Sequence, residues 1–281
     1  MQTVDLLGLT FDDLDVDDVV HAVLSRHPRA SFAYIVTPNA DHLARLKRQP
    51  RLRMVYDAAW LRLLDSQMLK NLALGLGLHA PHVATGADIA TALLAELNGQ
   101  DVAVIGLAKR HMPALRAAYP RINFIHHVPP QDLLHDEINF FRAREFAVRT
   151  GAPFTFIALG SPLQELLAYA IAQQPDARGI GLCIGAALDF RAGATARAPA
   201  WMRRAGLEWL HRLTHSPRRL GRRYLLDDPP VLFDLLAERF SRTARRYARG
   251  PRLPALPDAI SAPCPYQRQP PAPLREIPDA G

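Results

Sequence analysis

The stretch "FTFIALGSPLQELLAYAIA", residues 154–172, changes its periodicity once. It opens with a continuous apolar, β-favouring run, the pattern of a strand buried on both faces. Gly160 closes that run, and Pro162 suits the first turn of a helix. From Leu163 onward the apolar residues fall at helical spacing. A buried strand turning directly into a helix is the repeating unit of a parallel α/β sheet, because parallel neighbours need a long crossover between them.

The same unit recurs on both sides. "SFAYIVT" (31–37) leads into the helical "PNADHLARLKRQPRLRMVYDAA", and "WLRLLD" (60–65) reads as a short strand. "DIATALLAELN" (88–98) is helical, with Asp88 as its cap. "DVAVIGL" (101–107), "INFIHHV" (122–128) and "GIGLCIG" (179–185) read as strands, with helices near 110–119, 131–150 and 162–174. The expected fold is α/β, a Rossmann-like, mostly parallel sheet flanked by helices. Right-handed crossovers collect the strand C-termini along one edge, where ligands of open α/β sheets bind.

Character changes after Gly193. Residues 194–252 hold fourteen arginines against five acids, and from Pro251 proline is dense and periodicity stops. The expected organisation is an α/β catalytic domain over 1–193, divided near residue 100 into an N-terminal part and a Rossmann-like part (101–193). A basic helical appendage follows over 194–250, then a disordered tail over 251–281.

The chain has 281 residues, 49% of them apolar, with net charge +7 and pI about 9.8. An anionic partner follows: a phosphorylated substrate, an anionic lipid surface or a nucleic acid. Two cysteines, Cys183 in an apolar run and Cys264 in the tail, argue against a disulfide framework and for a reducing compartment. The acidic start "MQTVDLLGLTFDDLDVDD" lacks the pattern of a signal peptide. No apolar run reaches the roughly 18 residues of a spanning helix. A cytoplasmic protein, peripheral to the membrane at most, is expected.

Several chemistries are excluded by pattern. "GLAKRH" after "DVAVI" lacks the glycines of a dinucleotide fingerprint, and no GxxxxGK[ST], HExxH, CxxC or GxSxG occurs. His126 and His127 alternate faces on a strand, so they cannot share a metal. Neither a metal nor a cofactor is expected.

What remains is a set of residues at the predicted sheet edge. Thr37 and Asn39 follow a strand and open a helix, a natural anion or sugar pocket, or a simple strand–cap–helix join. Asp65 ends a strand, where a carboxylate can take a proton from an attacking hydroxyl or cap the helix from Ser66. Thr85, Gly86 and Asp88 offer a hydroxyl, close backbone approach and a carboxylate before a helix, or a capping loop. Gly160, Ser161, Gln164 and Glu165 form a strand–turn–helix that suits a phosphate. Asp189 follows Gly185 at the same edge, to bind sugar hydroxyls or to orient a loop.

Taken in order, "TPNADHL", "LLDS", "ATGADI", "LGSPLQE", "IGAALDFRAG" and "RAPAWMRRAGLEWLHRLTHSPRRLGRRYL" resemble the WecG/TagA/CpsF glycosyltransferases, glycosyltransferase family 26. The resemblance covers roughly residues 30–240. It implies an inverting, metal-independent transfer of a sugar, often of N-acetylmannosamine type, its uronate or glucose. The donor would be a UDP-sugar and the acceptor a polyprenyl-diphosphate-linked saccharide, in cell-surface polysaccharide synthesis. By the resemblance Asp65 is the catalytic base, Thr37 and Asn39 belong to the donor/acceptor pocket, and Gln164 and Asp189 line the nucleotide-sugar site. Three positions depart from the family pattern: Ser66 for Gly, Val83 for Arg and Leu163 for Lys. With two cations lost, either arginines such as Arg191, Arg197, Arg203 and Arg204 fold over the site and neutralise the diphosphate, or the donor sits differently.

The appendage itself reads as two pieces. On a helix Arg204, Glu208 and Arg212 form a charged stripe beside an apolar stripe of Trp201, Ala205 and Trp209, so 197–211 is expected to serve both core and site, or to be a core-packed amphipathic helix with a solvated face. Over 212–249 arginines alternate with Leu, Tyr and Phe. That pattern docks on an anionic bilayer surface, with Arg212, Arg218, Arg219, Arg222 and Arg223 as its cations. The alternative partner, a nucleic acid held by the same arginines, lacks any accompanying recognition motif. A homo-oligomer is left open.

Overall fold

The computed structural model describes residues 2–130, 132–193, 197–215, 221 and 229–240. These lie within one compact unit, Met1–Ala248. The chain opens with an antiparallel hairpin, β1 (Thr3–Leu6) and β2 (Leu9–Asp12). Its two-residue turn places Leu7 at φ 53° and Gly8 at φ 76°, the left-handed pair that a tight hairpin demands. Helix α1 (Val16–Ser25) follows, closed by a capping box between Asp15 and Asp18. Sequence periodicity did not single out these elements.

From there strands and helices alternate as expected. In order they are β3 (Ala33–Val36), α2 (Ala40–Arg48), α3 (Arg53–Asp57), β4 (Leu61–Arg62), α4 (Gln67–Gly75) and α5 (Gly86–Glu96). Next come β5 (Asp101–Gly106), α6 (Met112–Ala118), β6 (Asn123–His127) and α7 (Glu137–Thr150). The domain closes with β7 (Phe154–Ala158), α8 (Leu163–Ala172), β8 (Ile180–Cys183) and α9 (Ala187–Arg191).

Strands β3 to β8 form one six-stranded sheet in the order β4-β3-β8-β7-β5-β6, parallel throughout. It draws strands from both sides of residue 100. The central strands are buried along nearly their whole length, which is why they read as unbroken apolar runs. Val104, Phe156, Leu182 and Ile35 carry the core across the sheet, and Leu93 and Leu94 of α5 pack on it. Cys183 sits in this interior, where burial and then the charge of Glu165 push its thiol well up. His126 Nε2 lies 2.8 and 2.9 Å from the carbonyls of Gly106 and Leu107, while His127 stacks on Phe146. The two rings serve separate contacts, as their alternation requires.

Among the described residues, helices α10 (Ala200–Ala205), α11 (Glu208–His215) and α12 (Pro229–Phe240) follow. Helix α12 buries Val231 and Leu235 and is tied down by two polar contacts. Lys47 Nζ of α2 meets Asp234 Oδ1 at 2.6 Å, and the Leu7 amide donates to Glu238 Oε2 at 2.9 Å.

Candidate active site

A cavity of about 320 Å³ lies beyond the C-terminal ends of β3 and β4. Its floor is Asn39, Asp65, Ser66 and the start of α5; its roof is α10, α11 and Leu232 of α12. The sheet edge therefore supplies carboxylates and caps, and the appendage supplies arginines and an indole.

Asp65 is half-buried. Its backbone amide donates to Pro38 O at 3.0 Å, which fixes it beside the loop leaving β3. The expected strand extends past β4 by two further links, Leu63 N to Val36 O and a parallel bridge from Leu64 to Val83. The cap of α4 is Ser66, whose hydroxyl accepts from Leu69 N at 3.2 Å. The capping role that competed for Asp65 is filled by its neighbour.

Asn39 lines the same cavity and caps α2, accepting from the Asp41 amide at 3.1 Å. Thr85 caps α5, accepting from the Asp88 amide at 3.1 Å and donating to Asp88 Oδ2 at 2.6 Å. Asp88 is then gripped from above. Arg197 donates Nη1 to Oδ1 at 2.7 Å and Nη2 to Oδ2 at 2.9 Å, a two-pronged contact, and Nη2 also reaches Thr85 at 3.2 Å. Arg203 Nη1 stands 3.5 Å from the same Oδ1. Burial pushes the Asp88 carboxyl up, but the hydrogen bonds from Arg197 and Thr85 and the charges of both arginines outweigh it and hold the group low. Burial lowers the Arg197 guanidinium, and Asp88, Glu208 and Asp65 reverse that shift.

The roof fits closely because of one glycine. Gly206 ends α10 at φ 76°, and a Cβ there would stand 2.9 Å from both Met68 N and Cα. Only glycine lets the left-handed end of α10 rest on the first turn of α4. Trp209, Met68 and Leu232 give the cavity an apolar side. Arg204 lines it too, is exposed, and makes no ion pair among the described residues.

The other expected site residues lie elsewhere. Thr37 is buried, its hydroxyl 3.4 Å from Cys183 O. Gly86 is buried against it: a Cβ would come within 3.2 Å of Thr37 Oγ1 and 3.3 Å of Ile184 Cα. Neither lines the cavity, and nor do Gly160, Ser161, Gln164, Glu165 and Asp189. Ser161 Oγ accepts from Arg45 Nη1 at 2.6 Å. Gln164 and Glu165 are 4% and 1% exposed, too enclosed to meet a phosphate without rearrangement. Asp189 faces His111 Nδ1 at 3.2 Å. Arg197, Arg203 and Arg204 line the cavity together with Asp65. Arg218, Arg219, Arg222 and Arg223, the side chain of Arg212 and the tail lie outside the described residues.

Sequence reasoning missed Met68, Gln67 and Leu232 as lining residues and placed Trp209 only in an apolar stripe. Met68 and Gln67 directly follow Ser66, so the helix start after Asp65 was the signal for them. Leu232 carried none. No cluster of three or more His, Cys, Asp or Glu side chains suited to a metal ion occurs among the described residues.

The model of the glycosyl transferase WecG/TagA/CpsF family matches residues 4–245. The chain belongs to the WecG/TagA/CpsF glycosyltransferase family. Two similar proteins, from Staphylococcus aureus strains MRSA252 and MW2, are each 26% identical over 228 residues, covering 78% of this chain and 87% of the relative. Both are named N-acetylglucosaminyldiphosphoundecaprenol N-acetyl-beta-D-mannosaminyltransferase. In this glycosyltransferase two of the three departures from the family pattern, Ser66 and Val83, line the cavity, and Leu163 does not.

Proposed function

We propose that this glycosyltransferase moves a hexose from a UDP-sugar to a polyprenyl-diphosphate-linked saccharide, with inversion and without a metal. The names of the relatives support an N-acetylmannosamine-type donor sugar and a GlcNAc-diphospholipid acceptor. The observation that carries the reading is one cavity holding a carboxylate at a sheet edge opposite three arginines.

In this mechanism Asp65 takes the proton of the acceptor hydroxyl as its oxygen bonds to the anomeric carbon. The bond from that carbon to the β-phosphate oxygen breaks on the opposite side, and UDP leaves with the electron pair. Charge builds on the diphosphate in the transition state, so a cation held ready there lowers the barrier. Arg204 fits that task best, because Arg197 and Arg203 already share Asp88. Trp209 offers an apolar face to a sugar ring.

The lipid-linked acceptor calls for contact with an anionic membrane, on the cytoplasmic face where nucleotide sugars are made. No helix among the described residues is long and apolar enough to cross a membrane. The roof helices do present apolar side chains outward: Trp201 is 64% exposed and Phe233 70%. With the arginines of 212–223, they suit a lipid surface better than a nucleic acid.

The test is UDP release from a panel of UDP-sugars with a short-chain GlcNAc-diphospholipid, for the parent and Asp65→Asn. One donor should support transfer, and the variant should lose at least about a hundredfold in turnover. Parental turnover in Asp65→Asn would remove the assigned base.

A further inference from the structure

Behind Asn39 lies a buried histidine–carboxylate pair with no role in the mechanism above. His42 is 8% exposed and Glu165 is 1% exposed. His42 Nδ1 lies 2.7 Å from Asn39 Oδ1, and His42 Nε2 lies 3.4 Å from Glu165 Oε1. The Asn39 oxygen already accepts from the Asp41 amide, so the ring nitrogen is the donor in the shorter contact. The Asn39 backbone N–H also points at Nδ1, at 3.3 Å, as part of the capping box of α2, and is the longer of the two contacts. Asn39 Oδ1 and Glu165 Oε1 thus face the two ring nitrogens. Tyr56 meets it edge-on, with ring centroids 6.3 Å apart at 79°.

Glu165 is poorly explained by packing. Its Oε1 also accepts from Gln164 Nε2 at 2.8 Å, but Oε2 is buried with no partner among the described residues. A half-satisfied carboxylate in the core costs stability, where an apolar pair of similar volume often costs none. Burial pushes this carboxyl up, yet the hydrogen bond and charge of His42, followed by Gln164, hold it below its ordinary value. The pair's visible product is the orientation of one side chain that lines the cavity.

We propose that His42 and Glu165 are positioning residues, a buried dyad that fixes the orientation of the Asn39 side chain at the wall of the cavity. Glu165 holds the ring, the ring holds the Asn39 oxygen, and the helix cap holds the same oxygen from the other side. The side-chain amide then cannot flip. The inference rests on the glycosyl-transfer reading of the cavity. It replaces direct substrate contact by Glu165 with action through Asn39.

The experiment is a cycle on the full chain, with kcat read as UDP release using the donor that proves active and stability read as Tm. The variants are His42→Phe/Glu165→Leu, Asn39→Ala and the triple combination. A displacement of about 1 Å at a reacting group costs about a hundredfold. The apolar pair should therefore lose ten- to a hundredfold in kcat while its Tm holds or rises. Added to Asn39→Ala, it should cause no further loss in kcat. Parental kcat in the apolar pair, or losses that multiply with Asn39→Ala, would overturn the proposal. If the pair fails to fold, Glu165→Gln alone and on Asn39→Ala is judged by the same two criteria. Asp65→Asn run alongside separates the failures: if it keeps parental turnover, the base assignment falls, while the Asn39 cycle still reports on the dyad.

Discussion

Replacing Asp88 with asparagine tests whether the appendage is held over the site by one carboxylate. The change keeps the size of the side chain and an oxygen that can accept, but removes the charge shared by Arg197 and Arg203. Buried charge-assisted hydrogen bonds contribute about 1.5–3 kcal/mol each. Here the side chains of Arg197 and Asp88 are 20% and 35% exposed, and solvent screens part of that. A net loss of about 1.5–2 kcal/mol follows, or about ten- to thirtyfold in the ratio of docked to undocked appendage. The readout is amide hydrogen exchange in Ala200–Ala205, which should accelerate by that factor while β5, β7 and β8 keep their protection. Acid should act the same way. The Asp88 carboxyl is held low in the folded chain. Its contribution is therefore complete above the ordinary carboxylate value and is lost as pH falls through the lowered one. The protection factor of α10 in the parent, which is corrected for the intrinsic pH dependence of exchange, should stay constant down to about pH 4 and fall below it. Unchanged α10 exchange in Asp88→Asn at neutral pH would refute the clasp.

Two other substitutions probe the roof separately. Gly206→Ala imposes a φ of 76° on a residue with a Cβ, 2.9 Å from the Met68 backbone. It should cost about 1–3 kcal/mol in docking, seen as faster α10 exchange, and parental exchange would show that the seat yields. Arg204→Ala should lower turnover about tenfold if it removes the charge proposed to face the leaving diphosphate, with α10 exchange unaltered. Parental turnover there would transfer that role to another group.

The sheet was legible because its information is local. Strands β5, β7 and β8 are apolar on both faces, and each turns into a helix within a few residues, so periodicity alone marks them. β4 was the harder case, since only Leu61 and Arg62 pair as a regular ladder. The hairpin β1–β2 escaped notice because its eight strand residues mix charge with apolar side chains, and its turn carries Leu7 in a conformation that sequence pattern does not favour.

The candidate site was legible at helix starts and in the arginines of the appendage. Asn39, Asp65, Thr85 and Asp88 all stand at strand-to-helix junctions, which sequence can locate, and all line the cavity. The turn at 160–165 has the same local signature, yet its polar groups are spent inward: Ser161 on Arg45, Gln164 on the Gly185 amide, Glu165 on His42. Local pattern cannot tell these cases apart, because the difference is made by what the rest of the chain lays over each junction. Asp88 and Arg197 are 109 residues apart in sequence and share two hydrogen bonds. The appendage covers the β3–β4 end of the sheet edge and brings its arginines there, which sets this junction apart from the others as the candidate site. If the undocked appendage were compatible with full turnover, the junction chemistry would have to suffice alone. The Asp88→Asn variant, with turnover measured beside exchange, decides between these two accounts.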